Sequence, residues 1–311
     1  MGAVKLDARN DVLVFSASGA GFGDLVYAFS LRTGQVRELL KAGRVQDIFL
    51  SPGGYQIAIT TWNKDSSGEE WRDLYVVDET GRSIAHVRHP NNWNFNQVYW
   101  ASKDSRILFW RNRPTDNDDD GGGEAFSAIG ILDVTSRIAS WFPLKNWSRD
   151  FSISPADHRI YVWRDIDDGA IASVYDVRGH WLGNRPSMKG IFFSAAGRYY
   201  ASFHNEGAAP WGIYDSRTNK ALLQFNHEGT TEYTYGPDWN PARDDLFLAV
   251  RGEKENGPLD LYSVSKSKVI QTFSFGGHEE GSGWSNDGNY LVRPLDGHTI
   301  EIDSVLPSPP K

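Results

Sequence analysis

The sequence contains no cysteine and only two methionines among its 311 residues. The absence of cysteine excludes disulfide frameworks, thiolate zinc sites and cysteine nucleophiles. No run of eighteen apolar residues occurs, and the first thirty residues lack the basic start and apolar stretch of a signal peptide. We therefore expect no membrane insertion.

Positive charge is also scarce, because 32 basic side chains stand against 40 acidic ones and the net charge is -8. A protein that holds nucleic acid by its phosphates needs an excess of Lys and Arg, so we expect no nucleic-acid partner. Hydrophobic residues make up 40% of the chain and charged residues 23%, which is typical of globular proteins. A chain of this length can bury a substantial core, which excludes disorder as its main state.

One short segment is repeated seven times along the chain. Its clearest copy is Ser51–Ile59, in which a small polar turn leads into alternating β-forming residues. The copies begin at Asp7, Ser51, Ser102, Ser154, Ser194, Asn240 and Ser285. Neighbouring copies are about 40 to 52 residues apart, which is the length of one β-propeller blade.

The residues between the copies predict three further strands in each repeat. A second β run ends in a short polar residue, such as Asp78 or Asp215, whose side chain can bond the backbone of a tight turn. Runs such as Ser83–Val87 and Ala221–Phe225 then predict a fourth strand. We therefore predict an all-β fold, a single seven-bladed β-propeller of four-stranded antiparallel blades. The domain is expected to span residues 1–305, with a proline-rich tail over 306–311.

The last blade differs in this prediction. After Asp303 only eight residues follow, and three of them are prolines, which cannot donate a backbone hydrogen bond to a neighbouring strand. We expect this blade to have three strands.

The run Ser51–Ile59, followed by Asp73–Asp78 and a polar turn at Arg82, resembles the repeat of TolB-type β-propellers, which are related in pattern to WD40 proteins. The resemblance covers nearly the whole chain. It implies a propeller fold, and through the TolB type an extracytoplasmic location such as the periplasm, with a cytoplasmic location left open. Propellers with this repeat include binding proteins, peptidase gates and enzymes, so the resemblance does not give the function.

Long loops between the second and third strands carry many acidic residues, and tryptophans lie in or beside them. Aromatic planes next to carboxylates suit a protein partner or the rings of a sugar. The alternative is that the tryptophans pack between blades as core residues. The predicted partner-binding residues are Trp62, Trp71, Trp110, Trp163 and Trp211.

The segment from Asp116 to Gly121 matches the first six positions of a calcium-binding loop. Oxygen ligands at alternate positions, followed by a glycine, are what a hard divalent cation needs. The twelfth position is Ser127, so Glu124 would have to supply the later carboxylate. The motif predicts a calcium site formed by Asp116, Asp118, Asp120 and Glu124, and the alternative is an acidic loop without a bound ion. No other cofactor is expected.

Two common catalytic motifs, G-x-S-x-G and H-E-x-x-H, do not occur in the sequence. We predict a non-enzymatic, protein-binding or scaffold propeller that uses an acidic, tryptophan-bearing loop face. One alternative is a carbohydrate-binding or carbohydrate-active propeller, a lectin, lyase or glycoside hydrolase, in which Asp165 and Asp116 act as acid and base. Another is a structural subunit of a large complex.

Overall fold

The computed structural model describes residues 4–7, 11–18, 23–89, 94–102, 105–112, 127–144, 150–156, 158–166, 169–186, 189–203, 211–225, 237–251, 258–273, 283–294 and 299–305. Every regular element in these ranges is a β-strand. Within the same ranges no helix has the length and apolarity needed to cross a membrane.

The strands form seven antiparallel sheets, each built from consecutive strands in chain order. We number these sheets as blades one to seven. Blade one contains β1 Val4–Asp7, β2 Val12–Ser18, β3 Asp24–Ser30 and β4 Val36–Ala42; blade two β5 Arg44–Leu50, β6 Gln56–Lys64, β7 Glu70–Asp78 and β8 Ser83–His89; blade three β9 Asn94–Ser102, β10 Arg106–Asn112, β11 Ser127–Asp133 and β12 Ile138–Pro143.

The remaining sheets follow the same order. Blade four contains β13 Asp150–Ile153, β14 Ile160–Ile166, β15 Gly169–Tyr175 and β16 Trp181–Pro186; blade five β17 Lys189–Phe193, β18 Tyr199–Phe203, β19 Trp211–Asp215 and β20 Ala221–Phe225; blade six β21 Asp238–Trp239, β22 Leu246–Val250, β23 Leu259–Ser263 and β24 Lys268–Phe273; blade seven β25 Gly283–Trp284, β26 Tyr290–Pro294 and β27 Ile300–Ser304. Six blades have four strands and the last has three, which confirms the predicted fold class.

The repeated segment forms the turn between the first and second strands of a blade. In three copies a glycine at the fourth position, Gly54, Gly197 or Gly288, has a positive φ of 67° to 78° and donates its N–H to the carbonyl of the leading serine at 2.8 Å. The serine hydroxyl also accepts the N–H five residues on, as from Tyr199 to Ser194 at 3.0 Å. The repeated residues therefore form a turn through local hydrogen bonds. Glycine is suited to its position because it takes this backbone conformation without steric cost.

The predicted polar residue at the end of the third strand closes the turn to the fourth. Asp78 accepts the N–H of Thr80 at 2.9 Å, and Asp176 accepts the N–H of Arg178 at 2.8 Å. In blade five, Asp215 accepts the N–H of Thr218 at 2.8 Å. These side chains replace backbone hydrogen bonds that the turn lacks, as the sequence predicted.

The chain divides into two compact units, Met1–Trp147 with Glu280–Lys311, and Ser148–Glu279. The first unit holds blades one, two, three and seven, and the second holds blades four, five and six. The prediction of a single domain over 1–305 stays a prediction.

The core of each unit lies between adjacent sheets. In the first unit, Ile48 and Ile59 pack with Val26 between blades one and two, and Leu74 packs with Phe109 between blades two and three. In the second unit the clusters are rich in aromatic residues, including Tyr161 with Tyr200 and Ile213 with Phe247. Blade two and blade five thus each have a neighbouring blade packed on both faces, as blade packing requires.

Candidate functional site at the Asp73 cluster

A buried carboxylate organises the loop end of blade two. Asp73 lies on β7, four residues after the β6 to β7 turn, and 1% of its side chain is exposed. Cross-strand pairing places Thr61 and Arg88 beside it, so residues of three strands converge on one face of the sheet. We call this group the Asp73 cluster; it comprises Asn63, Trp71, Asp73, Tyr75, His86 and Arg88.

Both oxygens of Asp73 accept hydrogen bonds. Oδ2 accepts from the Asn63 amide at 3.0 Å, the Trp71 indole at 2.9 Å and the Tyr75 hydroxyl at 3.1 Å. Oδ1 lies 2.9 Å from His86 Nε2 and accepts from Arg88 Nε at 3.2 Å. A carboxylate offers about four lone-pair sites, so this acceptor is saturated. The buried charge is compensated by its donors, as burial of an ionised group demands.

The Asp73 cluster also contains a ring stack and a cation–π contact. The His86 ring lies parallel to the Tyr75 ring, with centroids 4.4 Å apart, and the Arg88 guanidinium lies 5.0 Å from the Trp71 ring centroid. Such cation to ring contacts favour a fixed geometry. Burial, followed by the charge and hydrogen bonding of Asp73, raises the pKa of Tyr75 to about 12. Tyr75 therefore stays a neutral hydroxyl donor at physiological pH.

The connector from blade one covers this end of blade two. A Cβ at Gly43 would overlap the Asn63 side chain and the Trp62 carbonyl oxygen, so only glycine allows the connector to approach this closely. In the same region the N–H of Val45 donates to the buried Asp24 carboxylate of blade one at 2.8 Å. The connector therefore lies directly against Asn63, a member of the Asp73 cluster.

The hairpin turn beside the cluster is ordered and acidic. Asp65 accepts the hydroxyl of Ser67 at 2.6 Å and the N–H of Glu69 at 3.0 Å. The Ser67 hydroxyl bond outweighs burial and, with the backbone bonds, lowers the pKa of Asp65. Lys64 pairs with Glu70 at 3.3 Å on the exposed surface. With Glu69 exposed as well, the turn carries more negative than positive charge.

Four of the five predicted tryptophans have described side chains, and two of these are partly exposed while two are buried. Trp71 and Trp62 are partly exposed and lie on opposite faces of blade two, with the Arg72 guanidinium 5.0 Å from the Trp62 ring centroid. Trp110 lies on β10, and its side chain is outside the described part of the structure.

Trp163 and Trp211 are buried, with 5% and 3% of their surface exposed. Trp163 packs in the core between blades four and five, and Trp211 stacks on Phe225 with ring centroids 4.3 Å apart. Their burial favours the alternative that these two residues are core residues. Both indoles pack in clusters shared with the neighbouring blade, and a role of the five tryptophans in partner binding stays a prediction.

The proposed calcium ligands Asp116, Asp118, Asp120 and Glu124 lie outside the described residues, as does the side chain of Asp165. Within the described ranges, no group of three or more His, Asp or Glu side chains is arranged to hold a metal ion. The calcium site and the acid and base pair stay predictions.

Asp73, Tyr75, His86 and Arg88 are not among the site residues predicted from the sequence. One signal was available, because Trp71, Asp73 and Tyr75 alternate along one strand and therefore share a face. Their cross-strand partners depend on the register with β8, which shifts at a bulge between Val76 and Val77.

No family model matches the chain, and no curated protein matches its sequence. Solved structures do match. The Cps50 (Swd1) β-propeller domain of Myceliophteria thermophila is 12% identical with a TM-score of 0.62, over 98% of this chain and 96% of that one. The fold is that of a β-propeller.

Two other similar structures come from different functional contexts. A chain of a mitotic checkpoint complex is 12% identical with a TM-score of 0.61, over 99% of this chain and 91% of that one. An oligogalacturonate lyase in complex with manganese is 13% identical with a TM-score of 0.63, over 93% of this chain and 84% of that one. The predicted WD40-like propeller is confirmed. These likenesses show the fold alone, which is shared by subunits of protein complexes and by an enzyme.

Proposed function

We propose that this chain is a non-enzymatic propeller that binds another protein, and that the loop end of blade two supplies part of its binding surface. The observation that carries this proposal is the Asp73 cluster, in which a partly exposed Trp71 and an exposed Arg88 are fixed by a buried carboxylate. Trp, Tyr and Arg are the residues most enriched among binding hot spots. Anchors that are already ordered lose little entropy on binding.

The charge of the neighbouring turn suits a basic partner. Asp65 and Glu69 are exposed beside the cluster, at the rim where charged groups guide association more than they add affinity. Trp71 and Arg88 at the Asp73 cluster would then supply most of the binding energy. The occurrence of similar propellers in protein complexes agrees with a protein partner in general.

The saturated hydrogen bonding of Asp73 supports a binding role over a catalytic one at this cluster. A general base needs a free lone pair directed at the substrate, whereas Asp73 Oδ2 already accepts three donors and Oδ1 accepts from Arg88 and lies 2.9 Å from His86 Nε2. Glycoside hydrolysis also needs a second carboxylate about 5 to 10 Å away. The carbohydrate alternative therefore depends on Asp165 and Asp116, not on this cluster.

The test compares Trp71→Ala with Trp181→Ala. Partners are cross-linked in native extract and identified, and the dissociation constant of the purified partner is then measured for each variant. Loss of a hot-spot residue costs about 2 kcal/mol, so Trp71→Ala should weaken binding roughly 30-fold. Trp181, half exposed on β16, should tolerate the change.

Equal affinity of the Trp71→Ala variant and the wild type would refute the role of blade two. Capture of glycans on an array, without any protein partner, would instead support the carbohydrate alternative.

A further inference from the structure

The short turns of blades four, five and six meet at one end of the second unit. In blade five, the turn between the first and second strands contacts the same turn of both neighbours. A Cβ added at Gly197 would lie only 2.8 Å from the backbone nitrogen of Ala156 in blade four, and Ala196 donates its N–H to the Asp244 carboxylate of blade six at 2.7 Å. The turns between the third and fourth strands lie at the same end, because neighbouring strands are antiparallel. One continuous surface is therefore formed by residues 154–159, 176–180, 194–198, 216–220, 240–245 and 264–267.

In blades five and six the two turns of a blade are also bonded to each other. The Ser216 hydroxyl donates to the Gly197 carbonyl at 2.6 Å in blade five, and the Ser265 hydroxyl donates to the Asp245 carboxylate at 2.8 Å in blade six. These bonds fix the backbone from which the neighbouring side chains extend. A surface that is ordered before a partner arrives loses less entropy on binding.

Seven exposed cations lie on these turns or on the strand residue next to them. We call this group the basic turn surface; it comprises Arg178, Arg198, Arg217, Lys220, Arg243, Lys266 and Lys268. Of the six turns, only Asp157 lies outside the described residues. In the part of the unit that the structure describes, none of the seven cations forms an ion pair with an acidic side chain.

The carboxylates of the same turns are less exposed than the cations and accept hydrogen bonds from the turns themselves. Asp176 accepts the N–H of His180 at 2.9 Å, and Asp215 accepts the N–H of Thr218 at 2.8 Å. The four partly exposed acids are Asp176, Asp215, Asp244 and Asp245. Seven exposed cations thus stand against four carboxylates that are already bonded, so this surface is positive although the net charge of the chain is -8.

Blades two and three show that a turn of this kind can neutralise its own cation. Arg82 pairs with Asp78 at 3.0 Å, and Arg106 pairs with Asp133 at 3.6 Å. In blade five, Lys220 likewise ends a turn that begins at an aspartate, but it makes no such pair among the described residues. The cations of the basic turn surface therefore remain available to a partner.

We propose that the basic turn surface binds an extended, acidic segment of a partner protein. Four of its seven cations are arginines, whose planar guanidinium groups match the geometry of carboxylates. Packed sheets lie about 10 Å apart, so three blades span roughly 20 to 30 Å, the length of about seven to nine extended residues. A nucleic acid fits less well, because the net charge of -8 repels a long polyanion beyond this surface.

A fluorescein-labelled, Glu-rich peptide of that length serves as the probe and is titrated with the full chain in a polarisation assay. It should bind saturably at about 50 mM salt, and its dissociation constant should rise about tenfold or more at about 500 mM, because salt screens exposed charges. The same peptide with Gln in place of Glu should not bind.

Acetylation of the wild type locates the binding site without any substitution. Bound peptide should protect Lys220, Lys266 and Lys268 from an acetylating reagent, as measured by mass spectrometry. Lys41, exposed on β4 of blade one, should stay equally reactive with and without the peptide.

Charge reversal tests the same residues. The double variant Arg217→Glu with Lys266→Glu should weaken peptide binding about tenfold or more, because two attractions between exposed charges become repulsions. The matched control is Arg32→Glu with Arg137→Glu, which changes two exposed cations in the corresponding turns of blades one and three and alters the total charge equally. The control should lose far less affinity, and melting curves of both variants verify that they are folded.

The proposal is overturned if the Glu-rich peptide does not bind at low salt, if the three lysines are not protected, or if both double variants lose affinity equally. A single-stranded DNA of equal charge that binds more tightly than the peptide would assign the surface to nucleic acid and also overturn it. The Trp71→Ala variant should bind the peptide as the wild type does. Failure of the proposed function and failure of this inference are therefore separate results.

Discussion

Replacing Asp73 by Asn should destabilise the protein measurably although the two side chains have the same shape. The amide keeps one acceptor oxygen and places an NH₂ group at the other position. If the NH₂ group replaces Oδ1, it faces Arg88, which cannot accept a hydrogen bond, and His86, which can accept only as its other tautomer. If it replaces Oδ2, it faces three donors, which is worse.

The smaller of these losses is one charge-assisted hydrogen bond. Such a bond contributes about 1.5 to 3 kcal/mol, and we take about 2 kcal/mol because the Arg88 side chain is 59% exposed and screened by water. Unfolding entropy of about 2.1 cal/mol/K per residue converts this figure into a fall in Tm of roughly 3 °C for a chain of this length.

Circular dichroism on heating measures the shift. Glu69→Gln is the matched control, because it also removes one carboxylate charge but from an exposed side chain on the same hairpin. The Tyr75 pKa provides a second measurement, since the charge and hydrogen bonding of Asp73 both raise it. Alkaline absorbance titration of the Asp73→Asn variant should show one tyrosine ionising at lower pH. A change in Tm no larger than that of Glu69→Gln would refute the reasoning.

Three further outcomes are expected. Trp211→Ala should lower Tm by roughly 5 to 8 °C, because removing a buried aromatic side chain costs about 3 to 5 kcal/mol. A shift in Tm as small as that of Trp181→Ala would contradict the core position of Trp211. Calcium at about 100 times its dissociation constant should stabilise chelated protein by about 2.7 kcal/mol, and an unchanged melting curve, or an equal rise in the Asp116→Asn variant, would contradict the predicted site. Hydrogen bonds, first of all from the Thr218 hydroxyl, lower the pKa of Asp215 below its ordinary value of 3.8. The contribution of Asp215 to the stability of the fold is therefore present above that pH and is lost as the pH falls. The difference in Tm between the wild type and Asp215→Ala should thus be largest at pH 6 and disappear at acidic pH. A difference that persists at low pH would contradict this prediction.

The blade architecture could be predicted from the sequence because its determinants are local. Gly54 and Ser51 lie three residues apart and form the same turn wherever the pair recurs. Asp78 and Thr80 close the next turn within two residues. Strand order then follows from short antiparallel connections, so seven copies predict seven sheets, and three prolines after the last strand predict its missing neighbour.

The surface could not be predicted in the same way, because it depends on which face of each strand the next blade covers. Trp71 and Trp211 both lie near the ends of long loops, yet one is partly exposed and the other is buried against Phe225. A shift of one residue in register moves a side chain to the opposite face of the sheet. The register of β7 with β8 depends on a bulge near Val76, and that register brings His86 and Arg88 to Asp73. Binding residues in a propeller of this kind therefore have to be sought from cross-strand partners rather than from the composition of the loops.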